Sequence, residues 1–152
     1  MPADAVLGWD IGGAHLKVAA VDDKGRVLQV LQLPCPLWLG VEHLDEAIVR
    51  ALTTMPAARL HAVTMTGELT DLYRNRAQGV KSIIAHFVRR VPRSRCYVYA
   101  GPSGFLTPGS AMLKTGAVAS ANWAASAQLV ASLLPDALLV DIGSTTDRKS
   151  VV

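Results

Sequence analysis

The chain has little of what usually announces a special class of protein. Aromatics make up 5% of its 152 residues, charged residues 18%, and cysteine occurs only twice. So few aromatics put the weight of the core on Val, Leu, Ile and Ala. Cys35 and Cys96 show neither CxxC spacing nor a disulfide framework, and each sits beside apolar residues where a free buried thiol is expected. That usage points to a reducing, cytoplasmic setting. The N-terminus has no basic segment leading into an apolar one, so no secretory leader is expected. No apolar run approaches the ~20 residues that span a bilayer.

Charge of one sign is also scarce. The net charge is +3, and the basic residues are scattered except at Arg89, Arg90, Arg93 and Arg95. That cluster has no interleaved aromatics, so it reads as a solvated helix end and not as a nucleic-acid surface. Neither nucleic acid nor membrane is an expected partner; the oligomeric state is left open. A 51% hydrophobic composition excludes a disordered chain, and the length suits one ordinary domain with a real core.

Strands and helices alternate. "AVLGWDI" (Ala5 to Ile11) is an apolar run suited to a buried strand, "HLKVAAVD" a second, and "RVLQVLQL" a third, with "DDKG" as the turn between the last two. Val41, Leu44, Ile48 and Leu52 recur at helical spacing up to Pro56. "LHAVTMTG" reads as a fourth strand, and Ile83, Ile84, Phe87, Val88 and Val91 as the apolar face of a second helix that stops before Pro92. "CYVYA" is a fifth strand, "ASANWAASAQLVASLL" an Ala-rich third helix, and "ALLVDI" a sixth strand. Three hairpin-linked strands followed by this alternation is, by analogy, the order of a ribonuclease H-like α/β domain, a mixed sheet flanked by helices.

Two strand ends carry the chemistry. "DIGG" places Asp10 ahead of Gly12 and Gly13, where backbone without Cβ atoms offers N–H groups to an anion. Asp10 repels phosphate directly but suits Mg²⁺ held through water and shared with phosphates. Lys17, seven residues on, reaches back as a point charge. "DIGSTTD" repeats the device with Asp141, Gly143, Ser144 and Thr145. The pair reads as a phosphate clamp, and the expected partner is a small phosphorylated substrate. The bland alternative is a plain hairpin with a solvated lysine.

Paired "DIGG…K" and "DIGST" loops resemble the actin, sugar-kinase and Hsp70 superfamily. "GWDIGGAHLKVA", "MTGELTDLYRNRAQGV", "SANWAASA" and "LLVDIGSTT" together are similar to the hydantoinase/oxoprolinase-related proteins of tetrahydromethanopterin-linked one-carbon metabolism. That family includes the methanofuran-biosynthesis transferase that joins an aminomethylfuran diphosphate to γ-glutamyltyramine and releases diphosphate. The resemblance implies a first phosphate loop at Asp10, Gly12, Gly13 and Lys17 and a second at Asp141, Gly143, Ser144 and Thr145. Mg²⁺ at Asp10 and Asp141 follows from it, with ATP as a possible further ligand. Asp10, Glu68 and Asp141 are the expected catalytic carboxylates, grouped at one sheet edge with Thr66 and Gly67. Glu68 is a general base or orienting group, or else a cap of the following helix. Asp71 and Arg74 contact substrate or form an exposed i, i+3 pair; Asn122 lines the cleft. Other readings are an ATP-dependent kinase or hydrolase, or a non-catalytic regulatory subunit.

The sequence departs from that pattern at its end, where "DRKSVV" replaces the expected continuation. Residues 1–135 are expected to be a first ribonuclease H-like domain and 136–146 the first strand and phosphate loop of a truncated second. Residues 147–152 are expected to be a non-native tail. On that reading "ALLVDI" has no sheet partner and the fragment is inactive.

Overall fold

Three strands joined by tight turns open the chain: β1 (Ala5–Ile11), β2 (His15–Val21) and β3 (Val27–Pro34). The structure, a computed structural model, describes residues 5–91, 95–134, 136–142 and 147–151, with backbone alone for residues 141, 142 and 147–151. The β2–β3 turn is built on Asp22, whose Oδ1 accepts from the backbone N–H groups of Lys24 and Arg26, each at 2.9 Å. Gly25 supplies the left-handed residue of that turn, φ +74°.

Next come α1 (Glu42–Thr54), β4 (Ala58–Met65), α2 (Arg76–Arg90), β5 (Arg95–Tyr99) and a short β6 (Phe105–Leu106). They are followed by α3 (Pro108–Leu113), α4 (Thr115–Val118), α5 (Asn122–Leu133), β7 (Leu138–Ile142) and β8 (Asp147–Val151). Six strands form one sheet in the order β3-β2-β1-β4-β5-β6. β1 pairs antiparallel with β2 and parallel with β4, and β4 pairs parallel with β5. This is a mixed sheet flanked by helices, the order expected of a ribonuclease H-like domain. Because β1, β4 and β5 run the same way, their C-terminal ends lie along one edge.

β7 does not stand alone. It pairs antiparallel with β8, Asp141 opposite Arg148, in a separate two-stranded sheet beside α5. The expectation of an unpartnered last strand is overturned: the open polar edge of an apolar strand takes up the extended segment that follows it.

Side chains alternate along β1, with Leu7, Trp9 and Ile11 turned inward. They pack with Leu44, Ile48 and Ala51 of α1 and Val80, Ile83, Ile84 and Phe87 of α2. The aromatics, though few, are not peripheral. Trp9 stacks edge-on against Phe87 with ring centroids 5.0 Å apart, and its Nε1–H donates to His61 Nδ1 at 3.0 Å. His61 is 1% exposed, and burial pushes its pKa below the ordinary value, against a backbone hydrogen bond at Ala58 that raises it.

His61 therefore favours the neutral form in the folded chain more than in the unfolded one. Its contribution to stability is complete above the unfolded pKa, about 6.5, and is lost as pH falls from there through the lowered native value. Urea unfolding between pH 7.5 and 5.5 is expected to lose stability with a slope of up to ~1.4 kcal/mol per pH unit from this group. His61→Gln keeps an acceptor for Trp9 and removes the titration. An equal slope in the variant would overturn the assignment.

Cys35 is fully buried and Cys96 half-buried; both are free, and burial pushes each thiol up to about 11. Arg89 and Arg90 occupy the last turn of α2, where Arg90 pairs with Asp45 of α1 at 3.0 Å. Among the described residues no helix is long and apolar enough to cross a membrane.

Candidate functional site

The ends of β1 and β4 meet backbone to backbone. Thr66 donates its N–H to the Ile11 carbonyl at 2.9 Å, which ties the turn after β4 to the turn after β1. A Cβ at Gly67 would come within 2.8 Å of Leu37 Cδ2 and 3.2 Å of the Gly12 carbonyl oxygen. Glycine at this position is what permits the close approach. The Thr66 hydroxyl lies against Gly12, within 3.8 Å of where a Cβ would stand.

Asp10 is the centre of the polar groups on the other face of the sheet. It sits opposite Lys17 on β2 and opposite Thr64 on β4. Its Oδ2 is 3.6 Å from Lys17 Nζ, its Oδ1 accepts from Thr64 Oγ1 at 3.4 Å, and Asn122 Nδ2 approaches the same oxygen at 3.5 Å. Four side chains from β1, β2, β4 and the first residue of α5 thus converge, although 112 residues separate Asp10 from Asn122. The Lys17 side chain is more than half exposed, so the ion pair adds little to stability and both charges stay accessible. Beside them opens a cavity of about 550 Å³, lined by Gly8, Ala19, Val30, Gln32, Ala62 and Phe105 among others.

In the first turn, the Gly12 N–H donates to the His15 carbonyl at 3.0 Å and so closes the hairpin. Among the described residues, the N–H groups of Gly13 and Ala14, in the turn that follows Asp10 and Ile11, make no such bond.

Glu68 has different surroundings. It is 2% exposed, its Cα and Cβ lie against Gly79 of α2, and its Oε1 accepts from Ser120 Oγ at 2.7 Å. Burial raises its pKa, with the Ser120 hydrogen bond opposing. The helix that follows is capped by Asn75, which accepts from the Gln78 N–H at 2.9 Å. Asp71 and Arg74 are exposed on the segment leading to that cap. The backbone of Asp141 lies in β7, and its side chain, together with Gly143, Ser144 and Thr145, lies outside the described residues.

Sequence reasoning missed Thr64 and Ser120. Thr64 could have been found from the parallel register that sets it beside Asp10. The Asp10 and Thr64 oxygens are hard donors of the kind Mg²⁺ prefers when it keeps most of its waters and shares phosphate oxygens. Among the described residues no group of three or more His, Cys, Asp or Glu gathers, and Asp10 is the carboxylate among the four converging side chains.

Comparison with known proteins adds the family. The chain is 32% identical over 142 residues to the (4-{4-[2-(γ-L-glutamylamino)ethyl]phenoxymethyl}furan-2-yl)methanamine synthase of Methanocaldococcus jannaschii. The alignment covers 93% of this chain and 41% of that protein, so the chain spans less than half the length of its curated relative. Among solved structures, an inorganic polyphosphate/ATP-glucomannokinase from Arthrobacter is similar at 20% identity and a TM-score of 0.49, over 98% of this chain and 58% of that one. An activator of 2-hydroxyisocaproyl-CoA dehydratase from Clostridium difficile is similar at 13% identity and a TM-score of 0.36, over 93% and 65%. The hydantoinase/oxoprolinase family model matches residues 59–152, more than half of the sequence, and the chain belongs to that family.

Proposed function

We propose that the chain supplies one wall of the active site of a transferase that joins an aminomethylfuran diphosphate to γ-glutamyltyramine. The observation that carries this reading is the cluster of Asp10, Lys17, Thr64 and Asn122 beside the open N–H groups of Gly13 and Ala14. The relative is named for a phenoxymethylfuran product, which supports an ether-forming step. The phenol oxygen displaces diphosphate at the furfuryl carbon. One carbon–oxygen bond breaks and one aryl ether bond forms; the phenolic proton leaves to a base, and diphosphate departs with the electron pair.

Departure is favoured by groups that meet the developing charge without reorganising. Lys17 supplies a positive point charge, and the Gly13 and Ala14 N–H groups supply short-range donors. Asp10, with Asp141 from the other strand end, would hold Mg²⁺, which supplies charge neutralisation at the diphosphate. Thr64 and Asn122 keep the Asp10 carboxylate in one orientation. Gly143, Ser144 and Thr145 serve as the second loop of the clamp in this reading, and Thr66 and Gly67 hold the first in place. Asp71 and Arg74, exposed near the same edge, are candidate contacts for the glutamyl end.

The test uses the whole enzyme with both substrates and Mg²⁺, following diphosphate and ether together. One diphosphate is expected per ether formed, and none without the phenol. Hydrolysis of ATP with no ether product would instead make the protein a kinase or hydrolase of the same fold.

A further inference from the structure

We propose that Glu68 is a positioning residue: its buried carboxyl anchors Ser120, and Ser120 sets the point from which α5 presents Asn122 to Asp10. The inference rests on Asp10 being the carboxylate of the phosphate site.

Glu68 is itself rigidly held. It follows β4 in the turn of residues 67–69, and a Cβ on Gly79 would stand 2.8 Å from both its Cα and its Cβ, so α2 presses directly on its base. Its Oε1 accepts from the Ser120 hydroxyl at 2.7 Å, within the range of a hydroxyl donating to a carboxylate. Both partners are buried, Ser120 at 8% exposure.

Ser120 is where the chain turns from α4 into α5. Among the described residues it is the one position with a side chain and a positive φ, +54°. That conformation is costly for a residue with a Cβ and persists where surrounding contacts hold it. The Glu68 hydrogen bond is such a contact. Two residues on, Asn122 opens α5, with its Oδ1 accepting from the Trp123 N–H at 2.8 Å and its Nδ2 directed at Asp10. An unbroken line of fixed groups therefore runs from the interior, through a strained turn, to the Asp10 carboxylate.

The other carboxyl oxygen points the same way. Glu68 Oε2 is buried with no hydrogen-bond partner among the described residues. A buried carboxyl that leaves one oxygen unmet costs more than a hydrocarbon side chain filling the same volume. What Glu68 supplies and a leucine lacks is the acceptor for Ser120.

The experiment compares wild type with Ser120→Gly, Glu68→Leu and Glu68→Gln. The Asn122 side-chain amide is followed by NMR, and magnesium diphosphate is titrated in. Ser120→Gly keeps the left-handed turn and removes the hydroxyl; Glu68→Leu keeps volume and removes the acceptor. Both are expected to move the Asn122 amide resonances and to weaken magnesium diphosphate by about threefold to tenfold, the worth of one lost hydrogen bond. Glu68→Gln retains an acceptor oxygen and is expected to restore both readouts. Unmoved Asn122 resonances in folded Ser120→Gly and Glu68→Leu would overturn the proposal. So would a Glu68→Gln variant as weak as Glu68→Leu with Asn122 unmoved, since charge and not anchoring would then be at work. If the resonances move as expected but wild type binds no magnesium diphosphate, the positioning role stands and the phosphate-site reading falls.

Discussion

Asp10→Asn is expected to abolish most of the Mg²⁺-dependent affinity for diphosphate while leaving the fold intact. The substitution keeps the shape of the side chain and its contacts with Thr64 and Asn122, and removes the charge that faces Lys17 at 3.6 Å. An exposed pair at that distance contributes little to folding, so the thermal midpoint should move by no more than about 2–4 °C, the shift that ~1 kcal/mol produces in a chain of this size. The effect on ligand is of another order. On the proposed reading the variant leaves Lys17 and the Gly13 and Ala14 N–H groups to meet the diphosphate, without the carboxylate charge that would hold a hard cation beside them. Affinity for diphosphate at saturating Mg²⁺ is expected to fall at least about tenfold, and turnover in the whole enzyme by ~10²–10³, the usual cost of one preorganised electrostatic group. Isothermal titration with and without Mg²⁺ measures the first, and diphosphate release the second. An unchanged affinity in a folded variant would make Asp10 a structural residue.

That prediction draws on residues of which only part could be read ahead of the structure. Asp10, the two glycines and Lys17 announce themselves, because an acid, paired glycines and a lysine at a strand end have few uses in packing. Asn122 entered only through resemblance. Thr64 looks like any strand threonine, and its place beside Asp10 follows from β4 pairing parallel with β1, a neighbour relation that spacing along the chain does not contain. Ser120 is harder still: a left-handed serine has no local signature, and its partner Glu68 is 52 residues away.

The fold divides in the same manner. The first three strands and α1, α2 and α5 are legible because β-branched runs and helical spacing persist over whole elements. Residues 101–118 carry no sustained periodicity, since four glycines and two prolines interrupt it, yet they contain β6, α3 and α4. The helices are too short for periodicity to register. Thr107 ahead of Pro108 was the available signal: the threonine Oγ1 accepts from the Ser110 N–H and proline occupies the first helical position.

Phe87→Ala is expected to be among the most damaging single changes to stability, for a reason the low aromatic content hides. With only two phenylalanines in the chain, one is spent at the point where α2 meets the sheet. Phe87 is 1% exposed and edges against both Trp9, at 5.0 Å, and His61, at 6.0 Å. Removing the ring loses its transfer free energy and leaves a cavity whose walls are themselves pinned. Trp9 and His61 are tied to one another at 3.0 Å and to adjacent parallel strands, so neither can swing in to fill the gap. Sites that cannot collapse sit at the upper end of the large-to-small range, here ~3–5 kcal/mol. In a chain of this size that corresponds to a fall of roughly 6–20 °C in Tm, out of a total stability of about 5–15 kcal/mol. Leu113→Ala is the control: the residue is 87% exposed at the end of α3, and the change is expected to stay within about 0.5 kcal/mol. Paired urea titrations of the two variants decide the matter. If Phe87→Ala cost no more than Leu113→Ala, the Trp9–His61–Phe87 cluster would not be the fixed core it is taken to be, and the inward face of β1 would have to be assigned anew.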